Sequence, residues 1–483
     1  MNYKRTKSMI RYFGALAALL CLFGALLPAQ AEDSGGREYY VDNEQGDDAA
    51  SGLSAVPGEG GSGPVRTLEK AVSLLKPGDT LHLANNSTPY RETLLLKDTS
   101  GEPGRPIVID GHGATITGTG PLRVEDWTEE GPGLFANDKL LPQLQESDDA
   151  ARVQRIFFLF NGSMQRMGRS SKGNQSRRTL KAPGDLLPGE WTFDKETHTF
   201  YIKTEGSLAE ANIEVPYREN CVALRGRKGK GVQQVIIRNL IATHALNDGF
   251  NFHGHGIRDV LLENIAAYEC GDDGYSAHAD VQTTVNGFWA SGNSTGMTNA
   301  VRAVTKASNL HLEGNFAVEL FSMHDSWNEV KDSVIIASAG ATPFKTGRPL
   351  ETGNTLILEN VLVSSLHKSK IVVFQSSSLE ARHVTVVGAE WEIKGKASVA
   401  DSVVAGKGVA VLEEGAWKGE RNVYNIVLSD TAAQDDIDSV NKEVPSDLPQ
   451  QPGQPFAPAG ADSSRMKIPP QIVPLSKNGM LNQ

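Results

Sequence analysis

Cysteine is scarce in this 483-residue chain, which has only Cys21, Cys221 and Cys270. Cys21 falls in an N-terminal segment expected to be removed. The other two lie about two coils apart in the repeat described below, too far for a bridge. A disulfide framework is therefore excluded even for an exported protein, and both are read as buried core thiols. Beyond the N-terminus no apolar run reaches the ~18 residues of a membrane span. Positive charge is in deficit, with 47 Lys and Arg against 58 Asp and Glu and a formal charge of −11. That balance argues against a nucleic-acid partner. The chain has no phosphate-binding glycine loop, zinc-ligand spacing, nucleophile elbow or dinucleotide fingerprint. Long amphipathic helices are scarce too, whereas glycine is abundant at 49 residues.

Residues 1–31 read as a signal peptide: a basic start (Lys4, Arg5, Lys7, Arg11), an apolar stretch from Tyr12 to Leu27, and the cleavage site Ala29-Gln30-Ala31. Its loss removes four positive and no negative charges, taking the formal charge from −11 to −15. The expectation is an exported protein, secreted, periplasmic or at the cell surface, with no stable membrane insertion after cleavage and monomeric. If such an acidic chain binds an acidic polymer, it needs local cations or a metal to do so.

A repeat organises the rest. Asn247-Asp248-Gly249-Phe250-Asn251-Phe252-His253 is echoed 25 residues later by Asp272-Asp273-Gly274-Tyr275-Ser276-Ala277-His278. Upstream, Val235-Ile236-Ile237-Arg238-Asn239 is echoed by Val260-Leu261-Leu262-Glu263-Asn264. Short β-rich runs at this period, joined by Gly and Asn turns, predict an all-β fold: a single-stranded right-handed parallel β-helix. Further runs begin near Thr283, Leu310, Val330, Leu356, Leu379 and Ala397, at a spacing that drifts between about 18 and 28 residues as turn lengths vary. An antiparallel sandwich would instead show hairpin turns every 8–12 residues.

The β-helix domain is assigned to residues 32–430. Thr67 caps a short N-terminal helix carrying Leu68, Ala71, Val72 and Leu75, a lid for the open end of the solenoid. Residues 121–215 break the period and read as an insertion of two hairpins, around Asn161-Gly162 and Asp194–Thr197. Eight prolines between Pro445 and Pro474 make residues 431–483 an extended tail, either without fixed structure or lying along the solenoid.

Alternation places Phe250, Phe252, Tyr275 and Ala277 inside, and Asn251, His253, Ser276 and His278 outside. Asp248, Asp272 and Asp273 fall at the turns before these strands. A next coil over 299–306 is expected to put Val301 and Ala303 inside and Arg302 outside, beside Ser276. Glu319, His324, Asp325 and Lys345 would extend the polar stripe. Two readings of the aspartates remain open. They are turn residues that satisfy local backbone, or they form a cluster whose repulsion calls for a cation, with Ca²⁺ suited to an all-oxygen set. Arg166 and Arg169 lie in a basic run that could attract an acidic glycan or be a solvated loop. Trp191, Trp289, Trp327 and Trp391 could stack on sugars or fill the core.

The Asp-Asp-Gly turn, with an aspartate one coil earlier, resembles the secreted β-helix polysaccharide lyases, and specifically the calcium-dependent pectate lyases that pair an aspartate cluster with a lysine base. The specific likeness spans Asn247 to Thr305. It implies Asp248, Asp272 and Asp273 as calcium ligands and β-elimination on a uronate-containing polysaccharide. Two positions depart from the pattern: Ser276 stands where a further aspartate is expected, and Arg302 stands in place of the lysine. Arg302 or His278, with His253 beside it, would then be the base, and Ca²⁺ or Lys345 the stabiliser of the enolate. Asn251, Ser276, Glu319, His324, Arg166 and Arg169 would contact substrate. A glycoside hydrolase with paired aspartates is the rival chemistry, although Gly254-His255-Gly256 precedes Asp272 and no suitable Arg-x-Lys follows. A non-catalytic glycan-binding surface protein is the third alternative.

Overall fold

The computed structural model describes residues 35–144, 153, 155–165, 180–338, 340–349, 353–365, 369–406, 408–412 and 415–425. The proposed signal peptide, Arg166, Arg169 and the proline-rich tail lie outside the described residues. The described residues from Gly36 onward belong to one compact unit.

Twenty-three strands join in one sheet, paired in parallel from coil to coil. The chain is therefore a parallel β-helix. Three ladders run along its axis. Ladder A stacks Glu38–Val41, Thr80–Leu83 and the first halves of longer strands, as in Val235↔Val260↔Thr283↔Thr305. Ladder B stacks their second halves, as in Leu240↔Ile265↔Phe288↔Leu310. Ladder C carries the acidic motif, with Phe250↔Tyr275↔Met297↔Leu320↔Phe344 on its inner face. The echo at 25 residues is thus a true rung-to-rung register. Coils lengthen to 28 residues between Asn328 and Leu356 and shorten to 18 between Leu379 and Ala397. The run near Leu310 belongs to ladder B of its coil, not to the start of a new coil.

Apolar residues on alternate positions fill the interior. Phe250, Phe252, Tyr275 and Phe288 are fully buried and meet edge to face, with centroids 5.5 Å apart for Phe252–Tyr275 and 6.3 Å for Phe250–Phe288. Each such side chain contributes roughly 1.5–3 kcal/mol by burial. The interior also holds a hydrogen-bonded polar row. The Tyr275 hydroxyl meets Thr283 Oγ1 at 2.5 Å, Thr283 meets Thr305 at 3.0 Å, and Thr305 donates to Asn299 Oδ1 at 3.0 Å.

The corner between ladders A and B explains the recurrent asparagines. Asn239, Asn264, Asn309, Asp332 and Asn360 all have φ between 48° and 56°. This left-handed region disfavours most side chains but tolerates Asn and Asp. Their side chains also link coils: Asn264 Nδ2 donates to Asn239 Oδ1 at 2.8 Å, and Asn239 Nδ2 donates to Asp110 Oδ1 at 3.0 Å. On the coil between them Gly287 takes the turn at φ 82°, and Asn286 Oδ1 accepts from Asn309 Nδ2 at 2.7 Å.

The helix Leu68–Leu74 is capped by Thr67, whose Oγ1 accepts from the Lys70 N–H at 3.2 Å, and it buries Leu68 and Ala71 at the N-terminal end of the core. Between Thr117 and Asn220 the chain leaves the solenoid and builds two four-stranded antiparallel sheets. Both expected hairpins are present, Phe158–Phe160 with Ser163–Gln165 and Trp191–Asp194 with Thr199–Lys203. The insertion has its own apolar cluster around Phe158, Trp191 and Phe200, joined by Leu246 of the solenoid. Glu214 anchors it by a bidentate pair with Arg91 at 2.9 and 3.0 Å.

Replacing Asn264 separates backbone from side-chain effects. Asn264→Gly loses only the ladder bond, whereas Asn264→Ala also places a Cβ in the left-handed region. The alanine variant should be less stable than the glycine variant by about 1 kcal/mol in chemical denaturation.

Candidate metal and substrate site

Ladder C begins where the chain turns out of ladder B, and the aspartates sit at that corner. The Asp272 N–H donates to the Asn247 carbonyl at 2.6 Å, and Asp272's own carbonyl accepts from the Ser294 N–H at 2.7 Å. Asn220 lies opposite Asp248, and Asp273 opposite Thr295. Turn geometry therefore accounts for the positions of these residues. Their side chains converge as well. Asp248, Asp272 and Asp273 are 2%, 7% and 0% exposed, and one carboxylate oxygen from each lies within 4.8 Å of the others.

Three buried carboxylates at this separation repel by roughly 3 kcal/mol per pair at an effective dielectric of ~20. Local donors offset part of this. Asp248 Oδ2 accepts from Asn251 Nδ2 at 2.5 Å and Asn247 Nδ2 at 3.0 Å, and Oδ1 accepts from the Asp273 N–H at 2.9 Å. Asp273 Oδ2 accepts from Ser276 Oγ at 2.9 Å. Arg155, reaching in from the insertion, approaches Asp272 Oδ2 at 3.6 Å and hydrogen-bonds Asn247 Oδ1. The donor set suits a hard divalent cation. Oxygens coordinating one calcium at ~2.3–2.6 Å lie at most about 5 Å apart, and these three satisfy that limit. Asp248, Asp272 and Asp273 are the residues that would hold such an ion.

Farther along the same strands, His253 and His278 occupy adjacent rungs with ring centroids 5.8 Å apart. Ser276 Oγ donates to Asp273 and lies 2.8 Å from His278 Nε2. With the hydroxyl proton committed to Asp273, a neutral His278 would carry its proton on Nε2, donating to Ser276 Oγ, and its lone pair on Nδ1. Arg225 is one rung below His253 and donates to the Asn251 carbonyl at 3.0 Å. Burial pushes the His253 pKa down, and the Arg225 charge pushes it further in the same direction.

The structure brings together Asp248, Asp272, Asp273, Asn251, Ser276, His253 and His278. It separates four other sequence candidates from them. Arg302 is not beside Ser276, whose neighbour on the next coil is Thr298. The strand ends at Ala300, and Val301 and Arg302 turn the corner at φ 53° and 67°. Val301 is consequently exposed, whereas Ala303 is inside as expected. Arg302 pairs with Asp280 at 2.9 Å, seven residues along the strand from Asp273 and on the order of 20 Å away. Glu319 does not join an outer stripe. It is sealed at the next corner, accepting from the Asn315 N–H at 3.0 Å and from the Asn315 side-chain amide, and burial raises its pKa well above the usual carboxylate range. His324 is exposed at a corner, where its carbonyl accepts from the Arg302 N–H at 2.9 Å. Lys345 is three rungs beyond Ser276 on the outer face, through Thr298 and Phe321, about 14 Å away at ~4.8 Å per rung. Its ammonium lies 5.2 Å from the Phe321 ring centroid and 5.1 Å from that of Phe374. Among the tryptophans, Trp191 and Trp391 are core residues, and Trp289 stacks on His311 at 3.7 Å.

Sequence reasoning missed Arg225 and Arg155. Arg225 was within reach, because carrying the echo back one coil aligns Asn220–Arg225 with Asp248–His253. Arg155 has no periodic signal, since it belongs to the insertion.

Fold and site together define a parallel β-helix protein with a buried triple-aspartate corner beside two histidines on adjacent rungs. No family profile matches the sequence, and no curated protein matches it. Among solved structures, a xylose complex of XylC aligns over 82% of this chain and 85% of its own at 10% identity, TM-score 0.48. Pectate lyase Pel9A aligns over 83% and 79% at 12% identity, TM-score 0.44. A rhamnogalacturonan lyase aligns over 80% and 87% at 12% identity, TM-score 0.36. Likenesses this loose carry no argument about activity.

Two measurements test the site. Calcium at a hundredfold excess over its Kd should stabilise the wild type by about 2.7 kcal/mol and leave Asp272→Asn unshifted in thermal melts; equal shifts would remove the ion from this corner. By NMR titration His253 should titrate below its ordinary value, and Arg225→Ala should raise its pKa.

Proposed function

We propose that this is an exported carbohydrate-active protein that cleaves an acidic, uronate-containing polysaccharide by β-elimination. The observation that carries this reading is the hydrogen-bonded row Asp273–Ser276–His278 beside the aspartate trio. That row would supply a cation-binding corner with an oriented base beside it.

His278 is the base. Its Nδ1 lone pair takes the proton α to the uronate carboxylate, while Ser276 holds Nε2–H and Asp273 holds Ser276. The electrons left on the α carbon form a double bond to the β carbon as its bond to the glycosidic oxygen breaks. That oxygen leaves with the bonding pair and is protonated from solvent. A divalent cation at Asp248, Asp272 and Asp273 would supply a Lewis acid for the substrate carboxylate and the enolate charge. Arg225 keeps a positive charge beside His253, whose lowered pKa favours the neutral imidazole at pH 7. Arg302 is not the base in this reading, since it pairs with Asp280 away from the trio.

Hydrolysis is less well supported. Paired glycosidase carboxyls flank the scissile bond with substrate between them, whereas one oxygen from each of these converges to within 4.8 Å, as for a shared cation. A non-catalytic glycan-binding role has one observation in its favour: Asn247, Asn251 and Arg155 already engage the trio.

Purified protein should release ultraviolet-absorbing unsaturated ends from a uronate polymer, chelator should suppress this, and His278→Ala should slow it by about 10²–10⁴-fold. New reducing ends without absorbance would replace the lyase with a hydrolase. Retention on immobilised polymer without either product would leave a binding protein.

A further inference from the structure

Asn220, Asp248, Asp273 and Thr295 follow one another on a single register column, set by the pairs Asn220↔Asp248, Phe250↔Tyr275 and Asp273↔Thr295. The next residue on it, Val318, packs with Phe321 and Met323 in a cluster apart from the solenoid core. Thr295 thus carries the acidic corner onto a third coil. Its N–H donates to the Asp272 carbonyl at 3.1 Å, beside the Ser294 N–H at 2.7 Å, so its backbone is tied to the turn that holds two of the three aspartates. Its side chain is fully buried, yet Thr295 Oγ1 has no hydrogen-bond partner among the described residues. Buried hydroxyls are seldom left so. Interior hydroxyls on the neighbouring rungs follow the rule: Thr283 pairs with Thr305 at 3.0 Å, and Thr305 donates to Asn299. On the two preceding coils the residue three places on also serves the column, Asn251 for Asp248 and Ser276 for Asp273. Thr298 takes that place after Thr295, and its Oγ1 is buried and unpartnered as well.

We propose that Thr295 Oγ1 is a fourth protein oxygen for a divalent cation at Asp248, Asp272 and Asp273, so that the site spans three coils. This rests on the cation reading of the trio. A threonine hydroxyl is a hard, neutral oxygen, and calcium takes about six to eight oxygens. The rung spacing of ~4.8 Å is within the separation of two oxygens on one calcium, each at ~2.3–2.6 Å. A neutral ligand on the third coil also adds nothing to the repulsion among three carboxylates, whereas a further aspartate there would. The column then runs neutral, anionic, anionic, neutral, and the apolar Val318 ends it. Thr298 differs in its surroundings. Its rung neighbour is Ser276, whose hydroxyl is engaged with Asp273 and His278, so Thr298 lies beside a hydroxyl rather than a carboxylate. Two buried hydroxyls of one strand are therefore distinguished by register alone, and only Thr295 is in line with the acidic column.

Isothermal titration of the full chain with calcium chloride, paired with thermal melts in chelator, tests this. Thr295→Val keeps the shape and removes the oxygen, and Thr295→Ser keeps the oxygen. Thr295→Val should raise the calcium Kd about tenfold or more, while Thr295→Ser and Thr298→Val should bind as wild type does. In chelator, Thr295→Val should melt no lower than wild type, because it removes a buried hydroxyl that has no partner. A threonine that only holds the fold together would melt lower on losing that group. An unchanged Kd in Thr295→Val, an equal rise in Thr298→Val, or a lower melt of Thr295→Val in chelator overturns the proposal and leaves the trio's cation in place. A wild type that takes up no calcium removes the cation from the corner, and the role of Thr295 falls with it.

Discussion

Parallel hydrogen bonding from each coil to the next, in strict register, is the constraint on which everything else in the molecule depends. A slip of one residue would turn every inward side chain outward, so register must be held from several directions. Interior aromatics hold it where Phe252 meets Tyr275 and Phe250 meets Phe288 edge to face. Side-chain amides hold it at the A–B corner, where Asn264 reaches back to Asn239. The left-handed backbone at that corner needs residues that tolerate positive φ, and the same asparagines supply the amides that bridge coils.

The acidic site is a consequence of that register and also a load on it. Stacking brings Asp248, Asp272 and Asp273 to one corner, where mutual repulsion opposes the geometry that makes them neighbours. The offsets come from different parts of the chain. Asn247 and Asn251 act within the coil, the Asp273 amide acts across coils, and Arg155 comes from outside the solenoid. The insertion is thus part of the site rather than decoration beside it. Corners farther along solve the same problem differently: Asn293 Nδ2 donates to Asn315 Oδ1 at 3.0 Å, and Glu319 closes that stack as an acceptor. An acidic residue at a β-helix corner can therefore be a candidate ligand or an internal polar plug, depending on whether its neighbours on the adjacent coil are carboxylates or amides.

The errors of sequence reading concentrate at strand ends. Alternation is a good guide inside a strand: Phe250, Phe252, Tyr275 and Ala277 are inside and His253 is exposed as expected, although Asn251 and Ser276, expected at the surface, are buried. It fails once the chain turns. Val301 was expected inside and Arg302 beside Ser276, because alternation was extended past Ala300, where two consecutive left-handed residues redirect the backbone. Glu319 was expected outside for the same reason, since the corner before its strand turns the side chain toward Asn315. Arg155 was beyond reach altogether, because nothing in a periodic pattern says where an aperiodic insertion will fold back.

By itself, the sequence determined the period, the inward-facing residues of each strand, and the adjacency of the two acidic turns. All of these follow from local alternation and from a repeat written into the chain. Tertiary structure alone decided which polar residues share an environment. Corner dihedrals sent Arg302 to Asp280 and Glu319 into the interior, and the packing of the insertion delivered a guanidinium to Asp272. Those outcomes depend on contacts between segments far apart in the chain, whose energies no local pattern encodes.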